Sequence, residues 1–544
     1  MIPAQYQLPL PLDRLIQDAG TVGGGDRMEV DALIVGAGPS GLAAAISLAR
    51  LARERGRELA IAVLEKAGAL GEHSLSGAVV NPAPFRALFP GLADREFPFR
   101  APVSRERVHF LTSRHALPLP TPPPMRNRGN YVASLCEIVR WLGAEAERLG
   151  VTVLTGFPAA SLLVREHQVV GVRTAPLGLD RAGAPGSAYQ APNDLTAPVT
   201  ALAEGTRGLL AQAYFEWQRV PSANPETFAL GVKELWEVPR PLDAVIHTLG
   251  WPLAPEEFGG SFLYPLEPGL IALGFVAGLD APRANFDVHD LLQRLKLHPY
   301  VRPRLEGGTL VEWGAKTIPE GGYHALRARR SGAGVLVLGD AAGFVDVPSL
   351  KGIHYAVQSG IFAARAMFDA LEARDVSAER LAEYDRLVDQ SFIRGDLYAR
   401  RNIRLAFTRG LYRGGLAASA MIATRGRFPG TRIAVGADAA VPRRADHDLP
   451  MVPDGVLTFG KLDGVFKSGN ATRDTIPAHL LVPRDVPAAL AQFYAHLCPA
   501  GVYEALADGL RVNPANCVDC KATDVLGPRW TPREGGSGPR YRRM

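Results

Sequence analysis

Cysteine is scarce in this chain, with four in 544 residues. Cys136, Cys498, Cys517 and Cys520 cannot staple a protein of this size, and three of them crowd into one stretch. That distribution fits a metal or redox site in a reducing compartment rather than a disulfide framework. Also missing is any run of roughly 18 apolar residues, the length needed to cross a bilayer, so membrane contact is expected only at the periphery. No basic cluster interleaves with aromatics, so nucleic acid is not an expected partner. The segment from Met1 to Gly25 carries Asp13 and Asp18 and no basic stretch followed by an apolar core, so neither a secretory signal nor a transit peptide is read there. Charge of one sign is not in excess. The net charge of +5 is compatible with an anionic membrane surface or an acidic protein but compels neither.

What is present is an ordinary globular composition, 47% hydrophobic and 21% charged, at a length that predicts two or three domains. After a Gly-rich linker (Val22 to Asp26), the run Asp31-Ala-Leu-Ile-Val35 reads as a buried parallel strand. It enters Gly36-Ala-Gly38-Pro39-Ser-Gly41 and an Ala-rich helix over Leu42 to Arg53. The next strand, Leu59 to Leu64, ends at Glu65. In that context the glycine spacing is a dinucleotide fingerprint. Gly36 permits the tight turn, Gly38 lets the backbone approach a pyrophosphate, and Gly41 lets helix and strand pack closely. The helix N-terminus offers free N–H groups to the phosphates. Glu65 comes 29 residues after Gly36, later than the usual 20 or so, delayed by the polar stretch Arg53 to Arg57. Its carboxylate is expected to accept hydrogen bonds from the adenosine ribose.

NAD and FAD share this fingerprint. A second feature favours FAD: Leu336-Val-Leu-Gly339-Asp340-Ala-Ala-Gly343 places an acidic residue at the end of a late strand. It resembles the second fingerprint of two-domain flavoproteins related to the aromatic hydroxylases, which makes Asp340 a candidate ribityl ligand. The helix beginning near Lys351-Gly352-Ile353-His354 would aim its N-terminus at the flavin's N1/C2=O edge. His354 itself is read as a packing residue. A helix is predicted over Ser134 to Leu149, strands over Val151 to Leu154, Pro198 to Leu202 and Gly334 to Leu338, and an exposed hairpin or loop over Thr174 to Pro192. Phe228 to Val276 predicts an antiparallel sheet. The Pro-rich Leu117 to Met125 predicts no regular structure, and Asp438 to Asp448 predicts a linker.

Several further runs resemble the electron-transfer flavoprotein:ubiquinone oxidoreductase family of bacterial type. They are Gly71-Glu-His-Ser-Leu-Ser76-Gly77, Arg128-Gly-Asn-Tyr131, Gly231-Val-Lys-Glu-Leu-Trp236, His247-Thr-Leu-Gly-Trp-Pro-Leu253, Phe258-Gly259-Gly260-Ser-Phe-Leu-Tyr264, Gly274-Phe-Val-Ala-Gly-Leu279, Lys351-Gly-Ile-His354, Arg400-Arg-Asn-Ile-Arg404 and Cys498-Pro-Ala-Gly-Val-Tyr-Glu504.

The resemblance implies an α/β plus α+β architecture. It comprises a Rossmann-like FAD domain of the aromatic-hydroxylase and glutathione-reductase type, an interleaved quinone-binding domain with an antiparallel sheet, and a small ferredoxin-like iron–sulfur module. In residues this reads as an arm (1–30), the FAD domain in two parts (31–215 and 326–375), the quinone domain (216–325), a membrane-associating helical segment and linker (376–453) and the module (454–544).

It implies FAD and a 4Fe–4S cluster as cofactors, and electron-transfer flavoprotein and ubiquinone or another membrane quinone as partners. It also implies a peripheral, monotopic place on the cytoplasmic face of a bacterial inner membrane. The cofactor residues carried over are Gly36, Gly38, Pro39, Gly41, Glu65, Lys66, Ser76, Gly77, Gly339, Asp340, Gly352 and Ile353, and the quinone headgroup falls to Gly259 and Gly260. Leu117 to Met125 and Leu411 to Ile422, the latter flanked by Arg409, Arg413, Arg425 and Arg427, are the candidate membrane-facing segments.

Two departures from the family stand out. A cluster of this type takes four thiolates, and the run here is Cys517-Val-Asp-Cys520-Lys-Ala-Thr523. Cys498, Cys517 and Cys520 match three ligands, while Thr523 stands at the fourth position and Cys136 is read as a buried small hydrophobe. Three outcomes follow: an oxygen ligand from Asp519, Asp524, Thr523 or water; a 3Fe–4S cluster; or no cluster at all. The second departure is Asp346, where the family has Asn. Ionised near the ring, it would lower the flavin potential; burial could instead keep it protonated. Two rivals to the family activity are an NAD(P)H-dependent flavin hydroxylase or geranylgeranyl-reductase-like enzyme, and a cluster-deficient relative with another donor or no turnover.

Overall fold

The computed structural model describes residues 8–21, 23–77, 79–428, 430–444, 451–507 and 509–544. Strand β1, Ala32–Val35, is buried along its length, as an all-apolar strand covered on both faces must be. It runs into helix α1, Pro39–Glu54, with proline at the helix start, where the fixed φ is already helical. Strand β2, Ile61–Glu65, lies parallel beside β1.

The chain then leaves this sheet. Strands β3, Glu106–Leu111, and β4, Ala116–Leu119, form a hairpin on a second sheet. The Pro-rich stretch is therefore not irregular throughout, since Leu117 to Leu119 are strand and Pro123–Met125 make a 3₁₀ turn. Strand β4 is the outermost strand of its sheet, and at an edge proline removes no ladder hydrogen bond. Helix α2, Leu135–Arg148, is capped by Ser134, and strand β5, Thr152–Thr155, pairs with β2. Residues 177–190 form the expected exposed hairpin. Strand β6, Val199–Leu202, pairs with the other side of β1.

The second sheet is built mainly by β7, Phe228–Glu237, β8, Val245–Gly250, β9, Gly259–Glu267, β10, Leu270–Gly278, and β11, Thr309–Pro319. Its order is β11-β7-β10-β9-β8-β3-β4. All pairs are antiparallel except β8 with β3, so the hairpin inserted from residues 106–119 makes the sheet mixed. The chain returns with β12, Ser331–Gly332, and β13, Val335–Val337, completing a six-stranded sheet of order β5-β2-β1-β6-β13-β12. Helix α3, Ile353–Ala373, then crosses α1 so closely that a Cβ at Gly360 would lie 2.3 Å from the Ser40 carbonyl oxygen.

The arm is not loose where it is described. Ile16–Asp18 and Arg27–Glu29 form the two edges of a separate five-stranded sheet. Within its expected Gly-rich linker, Val22 lies outside the described residues. Helix α4, Leu411–Ala423, rests on the loop before β9 through Leu411 N–H to Pro255 O, 2.7 Å. Residues 438–444 are packed rather than free as a linker would be. The Asp438 carboxylate accepts from Phe228 N at 2.7 Å, and Arg443 donates to Leu279 O at 2.7 Å. The described part of the expected linker serves as a strap because its charges cap backbone groups of the second sheet, and Ala445 to Asp448 lie outside the described residues. The C-terminal module contains α5, Ala488–Leu497, which ends at Cys498, and the short α6, Ala522–Leu526.

Candidate functional site

The first crossover has the shape a dinucleotide needs. Gly36 has φ of +104°, and a Cβ on it would lie 2.4 Å from Ala203 O. A Cβ on Gly41 would lie 2.0 Å from Gly36 O. A Cβ on Gly38 would meet nothing within 4 Å, so the backbone there faces the open space a pyrophosphate would take. Glu65 receives Ala37 N–H at 3.0 Å and Ala67 N–H at 2.9 Å. Those bonds fix its carboxylate at the strand end beside the turn and leave lone pairs for further donors.

The second fingerprint comes to the same place. A Cβ on Gly339 would lie 2.8 Å from Ser40 Oγ, and one on Gly352 would lie 3.6 Å from Asp340 Oδ1. The start of α1, the Gly339–Gly343 turn and the start of α3 at Gly352 and Ile353 thus converge. Burial pushes the Asp340 carboxyl up to about 6, with Lys316 pulling the other way. A partly protonated carboxyl of that kind both donates to and accepts from hydroxyl groups. A Cβ on Gly77 would lie 3.5 Å from the Phe262 and Tyr264 rings, and the Ser76 carbonyl accepts from buried Lys233 at 2.9 Å. The loop carrying both residues is therefore pinned to the second sheet.

The Lys66 ammonium turns to Asp519, 2.5 Å away, and lies over the Trp530 ring at 5.5 Å. The cause is electrostatic: Asp519 is buried, and a buried carboxylate needs compensating charge. Burial opposes its ionisation, but Arg533, Lys66 and His73 hold it well below the usual carboxylate range. Asp519 Oδ1 also accepts from Arg533 at 2.8 Å and from Trp530 Nε1 at 3.0 Å.

These contacts surround the cysteine pocket. Cys498, Cys517, Cys520, Thr523, Tyr503 and Trp530 line one cavity, and all of them are buried. Asp519 and Lys521 adopt left-handed φ of +55° and +64°, a strained geometry for non-glycine residues that turns the loop around the sulfurs. Asp519 N–H donates to Cys517 Sγ at 3.4 Å. Burial, reinforced by Asp519, pushes the Cys517 thiol up to about 12. Three thiols that cannot readily ionise in a common hollow suit a cationic iron centre, which would stabilise them as thiolates. Lys521 anchors the pocket to the nucleotide domain by donating to Thr206 O at 3.0 Å and Arg207 O at 2.9 Å.

Cys136 is elsewhere, buried in α2 with its thiol near Ser74 O at 3.1 Å. Sequence reasoning missed His479, whose Nε2 has no hydrogen-bond partner and which groups with Cys517 and Asp519 within 4.8 Å. No spacing rule links a lone histidine to a CxxC run 38 residues away.

Gly259 and Gly260 open β9. A Cβ on either would strike a neighbouring carbonyl, Val276 O at 2.2 Å or Thr248 O at 2.3 Å, so only glycine fits. The adjacent Phe258 ring lies 4.1 Å from the Arg404 guanidinium, which bonds Glu320 at 2.7 Å and Asp280 at 2.9 Å. Arg404, Arg400, Asp346 and Val347 line one cleft, so the arginine that meets Phe258 also faces the chain just beyond the Gly339–Gly343 turn. Asp346 is ion-paired with Arg400, so its charge is partly balanced. His354 packs on Tyr355 and Phe392 with burial lowering its pKa to about 3, as a packing residue would. Near this cleft Tyr412 and Leu416 of α4 and Phe428 are 71%, 76% and 63% exposed. Among the described residues no helix is long and apolar enough to cross a membrane.

Comparison with known proteins agrees with this geometry. The model of a family described as ETF-QO, ubiquinone-binding matches residues 228–318, and that of electron transfer flavoprotein-ubiquinone oxidoreductase, 4Fe-4S matches residues 455–542. Among solved structures, a geranylgeranyl bacteriochlorophyll reductase-like protein from Thermoplasma acidophilum superposes with a TM-score of 0.54 at 20% identity, covering 74% of this chain and 90% of that one. The myxobacterial chondrochloren halogenase superposes at 0.51 and 21% identity, covering 74% and 91%. These two establish the fold alone. The mitochondrial electron transfer flavoprotein-ubiquinone oxidoreductase of Mus musculus is 38% identical, covering 95% of this chain and 89% of its own. That of Arabidopsis thaliana is also 38% identical, covering 95% and 85%. Matched at that identity over nearly its full length, the chain belongs to the electron transfer flavoprotein-ubiquinone oxidoreductase family.

Proposed function

We propose that this chain is an oxidoreductase that takes electrons from reduced electron transfer flavoprotein and delivers them to ubiquinone. The observation that carries the reading is the convergence of three elements on one cradle: the Gly36–Gly41 turn, the Gly339–Asp340 turn and the α3 start. A cleft lined by Asp346, Val347, Arg400 and Arg404 lies just beyond that cradle, and Arg404 also meets Phe258, next to Gly259. Bound FAD would supply the conversion between one- and two-electron transfer, and an iron–sulfur cluster a one-electron relay.

The protein's own residues bind and orient. The N–H groups of Gly38, Ser40 and Gly41 would hold the pyrophosphate, Glu65 the ribose, and Asp340 a ribityl hydroxyl. The positive end of α3 at Gly352 and Ile353 favours negative charge on the flavin's pyrimidine edge. The backbone of Gly259 and Gly260 would hydrogen-bond a quinone carbonyl. Cys498, Cys517 and Cys520 hold the iron.

The exposed apolar face of α4, flanked by Arg409, Arg413, Arg425 and Arg427, rests the molecule on an anionic membrane without crossing it, on the cytoplasmic face of a bacterial inner membrane. Burying a leucine is worth about 1.5–3 kcal/mol, so Leu416→Glu should weaken binding to anionic vesicles about tenfold or more in a flotation assay. Unchanged binding would remove α4 from the membrane surface. For the reaction itself, anaerobic protein is mixed with reduced electron transfer flavoprotein or with NADPH, and a ubiquinone analogue is then added. The reading expects bleaching by the flavoprotein and reoxidation by the quinone. Rapid bleaching by NADPH alone would assign it to a nicotinamide-dependent reductase or hydroxylase.

A further inference from the structure

A four-iron cube has four corners, and the pocket presents three thiols. The fourth wall position belongs to Thr523, which follows Cys520 at the same three-residue step by which Cys520 follows Cys517. Thr523 lines the same cavity as Cys498, Cys517 and Cys520. It is 8% exposed, and its hydroxyl contacts the Tyr503 hydroxyl at 3.3 Å. The other oxygen donors of the loop are engaged elsewhere. Asp519 is held by Arg533, Lys66 and Trp530, and Asp524 bonds Arg207 at 2.8 Å and Trp530 N at 3.1 Å. His479, close to Cys517, does not line the cavity.

We propose that the Thr523 hydroxyl oxygen holds the fourth iron, so that one corner of the cluster is oxygen-bound and is the first to be lost. This rests on the reading that the pocket carries a four-iron cluster. Oxygen is a harder donor than sulfur and binds iron of such clusters less well. A threonine also reaches less far than a cysteine, because carbon–oxygen and iron–oxygen bonds are the shorter ones. Three thiolates therefore grip three irons firmly, and the fourth is held by the weakest bond in the site. On oxidation the cluster releases one ferrous ion and one electron, the electron going to the added oxidant. The three cysteines retain three irons and four sulfides.

The test uses full-length protein purified anaerobically, with iron and flavin counted together, before and after a stoichiometric pulse of ferricyanide. In the wild type the pulse should remove about a quarter of the iron and produce the near-isotropic EPR signal of an oxidised three-iron cluster. Thr523→Cys should keep all its iron through the pulse and show no such signal. Thr523→Val, which preserves shape, should hold only three irons before any oxidant is added, with flavin content unchanged. His479→Gln should behave as the wild type does. Equal iron loss in the wild type and Thr523→Cys would overturn the proposal. So would four irons retained by Thr523→Val, or a fourth iron lost in His479→Gln instead. Flavin-loaded protein without iron would also overturn it while leaving the flavin reading intact, whereas absent flavin is the failure of that reading.

Discussion

The nucleotide turn and the cysteine pocket bind by different means, and the difference explains how much substitution each tolerates. The turn works through backbone: Gly36, Gly38 and Gly41 contribute the absence of side chains and the helix start its free N–H groups, and Gly41 leaves no room for even a methyl group beside Gly36 O. Such a site is either complete or missing. The pocket works through side-chain atoms mounted on a loop held by Asp519, Arg533, Lys66, Lys521 and Trp530. That frame stands whether position 523 carries sulfur or oxygen, so one substitution can change the metal chemistry while the fold persists.

The largest effect should come from breaking the frame of the pocket. Asp519→Asn leaves Arg533 buried without its counter-charge, which costs about 3–5 kcal/mol. Denaturant melting should show this loss, and a change under 1 kcal/mol, about the value of an exposed pair, would mean the frame is not what holds the loop.

The turn side of the comparison has its own charge test. The Asp340 carboxyl is raised by burial from 3.8 to about 6, so folding favours its protonated form. That stability is present in full below about pH 4 and is lost as pH rises through 6. In flavin-free protein, Asp340→Asn should therefore gain on the order of 2 kcal/mol at pH 8, with the gain vanishing near pH 4, while flavin affinity falls. A gain that does not depend on pH would contradict the assignment.

Gly41→Ala should cost about 1–3 kcal/mol in overpacking and empty most of the flavin from the purified protein. The absorbance ratio reads this directly, and iron content should fall less than flavin content if the two sites are independent.

The smallest effect belongs to Asp346. Because Arg400 already balances it, Asp346→Asn should raise the flavin potential only modestly, and Arg400→Gln should lower it. A spectroelectrochemical titration decides, and no shift in either variant would place the pair away from the ring.

The crossover was legible in the sequence because its physics is local: β1, the glycines and Glu65 lie within one short stretch and obey spacing rules. The Asp340 turn was legible for the same reason. The ion pair of Lys66 with Asp519 was not legible, because the partners lie 453 residues apart and no local pattern announces a buried ion pair. Residues 117–119 looked irregular because proline is a breaker inside a sheet, yet only tertiary structure reveals that this strand is an edge. Residues 438–444 looked like a linker by composition, while their charges turn inward to cap the second sheet. His479 could not be found at all without the fold that brings it to Cys517.

Cofactor analysis of the purified chain tests the central claim most directly. Released by acid and quantified beside the protein, one FAD per chain is the predicted result, with Gly41→Ala stripped of most of it. Folded wild-type protein that carries no flavin, and takes none up when incubated with FAD, would contradict the account.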